Sequence, residues 1–525
     1  MGKSSGKNAA LVGAGILSSR VIGLIRERIF AHYFGNSDVA DAFKAALKIP
    51  NLLQNLFGEG ALSASFIPVY AGLLQTGDKE EADKVARGIG SILAVVMAIL
   101  VLAGVLATPL LIDLIAPGFE GAKREATIRM VRILFPGTGI LVLSAWCLGI
   151  LNSHRKFFLP YAAPVLWNLA MIAVLLSFGG RLQAYPLAEA VAWGSVAGSL
   201  LQFGVQLPSI RRLVGRLRFQ WGPFSGNIRV VIRNFIPGVT TRGVNQLSSY
   251  IDSMIASYLP TGAVASLGYA QTIYLLPVSL FGMSIANAEL PEMSRIDSLS
   301  ESAAATLRQR LNDATRRVAF FIVPSSIAFL ALGDSIVALL YQTGKFTRAD
   351  VLYVWWVLAG YAVGLLASTL GRLYSSAFWA LRDTRTPLRF AVLRVVLATG
   401  LGWFLAFPFI GWIGAAPRMG LIGLTAAAGI AAWIEFTLLR VALNRRIGKT
   451  GLPAMFTVQL WSAAVVAAAA AVALKLWMRD MSPLIAGMCV PALFCALYFS
   501  GTLFFKIPEA WRLFHIVQTR LSGKP

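Results

Sequence analysis

The sequence predicts an all-α polytopic membrane protein of about fourteen transmembrane helices: two parallel six-helix repeats around a central cavity, plus two C-terminal helices. Three observations predict it. The 525-residue chain is 57% hydrophobic and only 14% charged, whereas a soluble domain is about 45–50% apolar and about 25% charged. The apolar residues fall in blocks such as "SILAVVMAILVLAGVLATPLLIDLIA" and "LPAMFTVQLWSAAVVAAAAAVALKLW", each longer than the roughly 20 residues that cross a bilayer core. The joints between blocks, such as "GGRLQAY" and "LPTGA", are short and polar, and no soluble domain fits between them.

Spans are expected near 9–33, 39–74, 87–116, 127–152, 158–179, 186–208, 230–258, 264–292, 306–333, 350–380, 387–410, 419–444, 454–477 and 483–505. The first follows a basic start, and its apolar run leads into Arg20 and Arg26 without a small-residue cleavage site. That makes it a retained helix rather than a signal peptide. "GKSSGK" lacks both the spacing of a phosphate loop and a preceding strand, and is expected to be a solvated tail.

Lysine and arginine concentrate in the N-terminal tail, in 75–87, 153–157, 209–233, 293–317, 381–389 and 440–449, and at the C-terminus. The positive-inside rule therefore places both termini in the cytoplasm. The same rule explains the net charge of +23 without nucleic acid. Basic clusters such as "RRLVGRLRFQWGPFSGNIRVVIR" are expected to touch anionic membrane lipids. Cys147, Cys489 and Cys495 lie inside apolar segments, and His32, His154 and His515 are scattered, so no metal or redox site is expected.

A weak internal repeat sets the domains. The second span reads Pro50, Leu56-Phe57-Gly58, Pro68; the eighth reads Pro277, Leu280-Phe281-Gly282, Pro291. "LNSHRKFFLP" after the fourth span matches "LRDTRTPL" after the tenth. Six spans per copy make the repeats parallel, as in many transporters. The expected parts are 1–210 (spans 1–6), 211–450 (spans 7–12) and 451–525 (two added helices and a cytoplasmic tail).

The second span, "DAFKAALKIPNLLQNLFGEG", carries the candidate site. Asp41, Lys44, Lys48, Asn51, Asn55 and Glu59 are separated by steps of 3, 4, 3, 4 and 4, which is one seam on a continuous helix. A charge at bilayer depth costs about 2.5–3.5 kcal/mol on insertion scales, so the seam must line a wet cavity or find partners. The first span offers Arg20, Arg26 and Glu27, and the seventh offers Arg242, Asn245, Gln246 and Asp252. Asn168, Glu189, Arg372 and Glu435 are lone polar groups, expected to be local pairing devices. A cationic cavity with arginines suits phosphate, and hence an amphiphilic anion whose headgroup crosses inside while its tail stays in lipid. No catalytic constellation is present in the sequence, so a transporter is expected and not an enzyme.

These residues resemble a known family. "DAFKAALKIPNLLQNLFGEGALSASFIPVY", with "SSRVIGLIRE", "GILNSHRKFFLPYAAPVLWN" and "ALRDTRTP", is similar to the MurJ (MviN) lipid II flippases of the multidrug/oligosaccharidyl-lipid/polysaccharide exporter superfamily. The resemblance implies an alternating-access flippase in the bacterial inner membrane. It would move undecaprenyl-pyrophosphate-linked lipid II to the periplasmic leaflet for peptidoglycan synthesis, as a monomer that serves the cell-wall machinery. Carried over by motif, Arg26 contacts the pyrophosphate and Arg20 and Lys48 build the cationic field; the polar faces of the second and seventh spans add Asn51, Asn55 and Arg242 as expected substrate contacts. Ser19, Glu27, Asp41, Glu59 and Asp252 are the gating and pairing residues, Glu59 because Gly58 and Gly60 flank it.

Two departures stand out. Gln54 and Thr272 occupy positions where the family usually has arginine. No cofactor is expected. Asp252 matches one sodium ligand of some members, but the eleventh span has no carboxylate or asparagine to complete a site, which leaves the membrane potential as driver. The alternatives are an exporter of another polyprenyl-pyrophosphate-linked saccharide, a drug–cation antiporter, a polyprenyl-dependent glycosyltransferase and a non-transporting scaffold. The second-span motif argues against the antiporter, the lack of an outer acidic motif against the glycosyltransferase, and the buried seam against the scaffold.

Overall fold

The computed structural model describes residues 2–215, 218–220, 225–296, 301–478 and 480–521. The side chains of Glu59, Arg242 and Asn245 lie outside that description. The described residues form helices and no strand. They divide into two compact units, Met1–Ala265 with Thr343–Phe346, and Ser266–Gln342 with Thr347–Pro525. The helix over 226–257, which the repeat groups with the second six spans, belongs by its contacts to the first unit.

The first unit contains α1 (Gly2–Phe34), α2 (Asp38–Phe57), α3 (Glu59–Gln75), α4 (Lys79–Leu106), α5 (Thr108–Ile115), α6 (Gly121–Ser153), α7 (Phe158–Ala162), α8 (Pro164–Phe178), α9 (Ala184–Gly204), α10 (Leu207–Val214) and α11 (Gly226–Ser257). Its core gathers Leu62, Phe66 and Tyr70 of α3, Val85, Ile89 and Leu93 of α4, and Val142, Trp146 and Ile150 of α6. The Trp146 indole N–H donates to the Ala86 carbonyl at 3.1 Å. The ring fits because position 90 is glycine; a Cβ there would sit 2.9 Å from it.

The second unit takes most of α12 (Ala263–Pro277), a π-helical turn (Val278–Met283), α13 (Ser284–Ser294), α14 (Glu301–Tyr341), α15 (Arg348–Ala380), α16 (Arg385–Ala406), α17 (Pro408–Trp412), α18 (Gly420–Ile447), α19 (Ala454–Trp477), α20 (Pro483–Phe504) and α21 (Pro508–Leu521). Gly360 and Gly364 make a small-residue stripe on α15 that lets α18 approach closely. A Cβ on Gly364 would meet Gly429 at 2.2 Å. The two added helices are tied to α14 by polar bonds: Lys475 of α19 pairs with buried Asp334 at 2.7 Å, and the Tyr498 hydroxyl of α20 donates to the Phe320 carbonyl at 2.6 Å.

The expected spans are helical, though those at 39–74, 87–116, 158–179, 264–292 and 387–410 are each built from more than one helix. Among the described residues, eleven helical segments are long and apolar enough to cross a membrane; those expected at 9–33, 186–208 and 230–258 are helical but outside that set. The N-terminal segment expected as a solvated tail is helical from Gly2. The joint expected at 75–87 is helical from Lys79, because Asp78 caps α4 by accepting from the Glu81 N–H at 3.1 Å.

The second span is not one helix. It breaks at Gly58, whose ψ of −149° is far from helical, so the seam ends at Asn55 and Glu59 opens α3 on a new axis. A Cβ on Gly58 would lie 2.2 Å from the Gln54 carbonyl oxygen, which is why glycine stands there. In the matching "LFG" of the second copy, the helix instead widens into the π turn through Phe281 and Gly282. Both copies thus interrupt the helix at the same motif.

The other repeated motif is a helix stop. After α6, the Lys156 N–H donates to the Leu151 carbonyl and the Arg155 N–H to that of Asn152; after α15, Asp383 and Arg382 do the same to Phe378 and Trp379. After α20, Ile507 and Lys506 repeat the pair with Thr502 and Leu503. These are Schellman caps, yet their left-handed positions hold Arg155 (φ 56°), Arg382 (φ 58°) and Lys506 (φ 55°) rather than glycine. Asp383 then starts the next helix, accepting from the N–H groups of Arg385 and Thr386 at 3.0 Å and from Arg446 at 2.6 Å.

Two outcomes are expected in thermal unfolding of the detergent-solubilised protein. Gly58→Ala forces its Cβ against Gln54 and costs about 1–3 kcal/mol, the range of overpacking. Asp383→Ala removes a cap and costs about 1 kcal/mol. The bonds from Thr386 and Arg446 hold the Asp383 carboxyl down from 3.8 to about 2. Its contribution is therefore present at neutral pH and disappears as pH falls from about 4 through about 2; the Asp383→Ala variant lacks that loss.

Candidate substrate site

Glu27 on α1 is buried, with 8% of its side chain exposed, and has a cation on each side. Arg26 of its own helix reaches it at 2.5 Å, and Lys44 crosses from α2 to its other carboxylate oxygen. The Arg26 guanidinium also lies over the Trp167 ring of α8, 4.9 Å from its centre, and the Lys44 ammonium over Phe30 at 5.0 Å. Such ring faces favour a cation without adding a counter-charge. The result is two cations on one carboxylate, which leaves the cluster with a net positive charge.

One turn further along the seam, Lys48 turns to α11, donating to the Ser249 carbonyl and to the Ser253 hydroxyl, each at 2.5 Å. Tyr250 returns a bond to the Lys48 carbonyl at 2.9 Å, and Asp252 is within electrostatic reach of Lys48. At the start of α2, Asp41 is 1% exposed. It pairs with Lys123 of α6 at 2.6 Å and accepts from the N–H groups of Gly262 and Ala265 at 2.8 and 2.7 Å. Those two N–H groups belong to the N-terminus of α12, where a carboxylate complements the helix dipole. Asp38 adds a second bond to Lys123 at 2.9 Å.

A cavity of about 330 Å³ opens inside the first unit. Its polar lining is Ser19 and Arg20 of α1, Gln54 of α2, Ser144 of α6, Tyr161 of α7 and Gln202 of α9, with Leu141 and Leu148 among the apolar wall. None of its lining residues is acidic. The arrangement presents one guanidinium among neutral hydrogen-bonding groups beside an apolar surface, which suits an anionic, acceptor-rich headgroup.

The expected seam is therefore real over Asp41 to Asn55 but does not line a single cavity. Asp41, Lys44 and Lys48 each take a separate partner helix, Asn51 is partly buried and Asn55 is exposed, and it is Gln54 that faces the cavity with Arg20. Thr272 on α12 turns its hydroxyl to the Gly268 carbonyl at 2.9 Å. Of the lone polar groups, Glu189 pairs with Arg129 at 2.7 Å, Glu435 with Arg394 at 3.4 Å, and Asn168 donates to the Pro164 carbonyl at 3.0 Å. Sequence reasoning missed Lys123, which falls between the expected third and fourth spans and reads there as one more surface charge. It also missed Gln202 and Gln206, although their spacing of four places both on one face of α9 and its extension.

A family model described as lipid II flippase MurJ matches residues 30–494. The chain belongs to the lipid II flippase MurJ family. It is 34% identical over 403 residues to the probable lipid II flippase MurJ of Rhizobium meliloti (strain 1021), covering 75% of this chain and 74% of that protein. It is 32% identical over 466 residues to the lipid II flippase MurJ of Burkholderia cenocepacia, covering 86% of each. Among solved structures, lipid II flippase MurJ in an inward closed conformation matches with a TM-score of 0.76 at 23% identity, over 95% of this chain and 99% of that one. An inward-facing MATE family transporter of the MOP superfamily matches at 0.63 and 18% identity, over 81% of this chain and 95% of that one. At these identities the structures share a fold.

The charge cluster makes a sharp prediction for stability. Glu27→Gln leaves Lys44 and Arg26 buried without their counter-charge and costs about 3–5 kcal/mol in unfolding of the purified protein. Adding Lys44→Met to that variant recovers part of the loss.

Proposed function

We propose that this chain carries lipid II, the undecaprenyl-pyrophosphate-linked disaccharide-pentapeptide, from the cytoplasmic to the periplasmic leaflet of the bacterial inner membrane by alternating access. It acts as a monomer with both termini in the cytoplasm, supplying the cell-wall synthesis machinery. The observation that carries this reading is the pair of cations on buried Glu27, on the same helix that presents Arg20 to the cavity.

In this mechanism the pyrophosphate replaces Glu27 as the partner of Arg26. Exchanging one anion for another keeps the guanidinium paired throughout, so no buried charge is left alone. Lys48 and Arg20 extend the cationic field, and the apolar tail remains in lipid. Asp41 holds the start of α2 to Lys123 and to the N-terminus of α12, and release of those bonds frees that end of the helix. The inside-negative membrane potential favours outward movement of the anionic headgroup by about 2.3 kcal/mol per charge per 100 mV, without sodium.

Rescue of a bacterium depleted of its own lipid II flippase tests this. The wild-type chain restores lipid II externalisation, and Arg26→Ala abolishes it while still reaching the membrane. Wild-type-like externalisation by Arg26→Ala removes that arginine from the mechanism, and failure of the wild-type chain in a host that inserts it overturns the function. Thr272→Arg, which restores a family cation, should support externalisation at least as well as wild type.

A further inference from the structure

We propose that Ser144, Gln202 and Gln206 form a subsite for an acetamido sugar borne on a pyrophosphate, a proposal that rests on the lipid II function above and names the part of the headgroup read in the first unit. Gln206 is 1% exposed, and its amide nitrogen donates to the Gln202 carbonyl at 2.9 Å and to the Ser144 hydroxyl oxygen at 2.7 Å. A backbone carbonyl only accepts, so this contact fixes which end of the Gln206 amide faces Ser144. The Gln202 side-chain nitrogen lies 3.2 Å from the same Ser144 oxygen.

A serine hydroxyl has one proton and two lone pairs. If both glutamines donate to Ser144, its lone pairs are filled and its proton points away from them. If the Gln202 amide is turned over, Ser144 donates to Gln202, and the Gln202 NH₂ group is the one left over. Either way a donor remains, and both residues line the cavity. None of the cavity's lining residues is acidic, so the complement is a group that brings an acceptor.

A sugar hydroxyl also accepts, but an acetamido group sets its carbonyl acceptor beside a methyl group, with an N–H that donates in another direction. Leu141 and Leu148, one turn before and one turn after Ser144 on α6, give that methyl an apolar wall. Arg20 supplies the cation for the adjoining phosphate. At about 330 Å³, the space lies near the low end of small-molecule sites, about 300–1,000 Å³. It suits one sugar ring rather than a whole disaccharide-pentapeptide.

The test uses the full chain in lipid nanodiscs and two probes that differ at one carbon, undecaprenyl-pyrophosphoryl N-acetylglucosamine and its glucose counterpart. Wild type should bind the acetamido probe on the order of tenfold more tightly. Ser144→Ala and Gln202→Leu should each bring that ratio towards one, and Ser144→Thr, which keeps a hydroxyl, should restore it. Arg20→Ala should weaken both probes and keep the ratio. Equal wild-type affinity for the two probes overturns the subsite alone, as does a ratio that survives both Ser144→Ala and Gln202→Leu. Wild-type protein that binds neither probe likewise overturns the subsite, while the lipid II function stands or falls by the rescue experiment above.

Discussion

A carboxylate in an apolar bundle is tolerated only with its counter-charges in place, and Glu27 sets the terms for the polar interior of the first unit. Desolvating a lone charge costs several kcal/mol, so Glu27 requires a cation and has two. That requirement explains why Lys44 crosses from α2 to α1 and why Trp167 and Phe30 present their ring faces to the cations. It also leaves an excess positive charge that a phosphate can answer. The stability of this polar interior thus rests on the same three side chains.

The second helix of each repeat meets a different constraint: it must be long, yet it carries proline and lies among close neighbours. The first copy interrupts itself at Gly58, where a side chain has no room beside the Gln54 carbonyl. The second copy widens over Val278–Met283, and Gly282 packs where a Cβ would be 2.3 Å from Thr369. π turns of this kind occur often at functional sites. One duplicated motif has therefore settled into two backbone solutions, each depending on its glycine for a steric reason.

Most of the architecture was legible because lipid enforces it: apolar block length gives the helices, and the cost of charge flags α2. The seam from Asp41 to Asn55 was readable from spacing alone. Its partners were not, since Lys123 and Ser253 are distant in sequence and unremarkable by type. The break at Gly58 escaped because the spacing of Glu59 continues the helical period across it, and a period carries no information about ψ. Gln54 was visible as a departure from the family pattern, while its place beside Arg20 emerged only from packing.

The caps at Arg155, Arg382 and Lys506 carry one more consequence. A left-handed L-residue costs roughly 1–2 kcal/mol relative to its right-handed form, and glycine would avoid that. Elsewhere the chain does use glycine at such positions, as at Gly77 (φ 79°), Gly414 (φ 62°) and Gly448 (φ 86°). At the three helix ends of Arg155, Arg382 and Lys506 the chain accepts that strain and keeps a cation beside the last carbonyls, where positive charge complements the helix dipole.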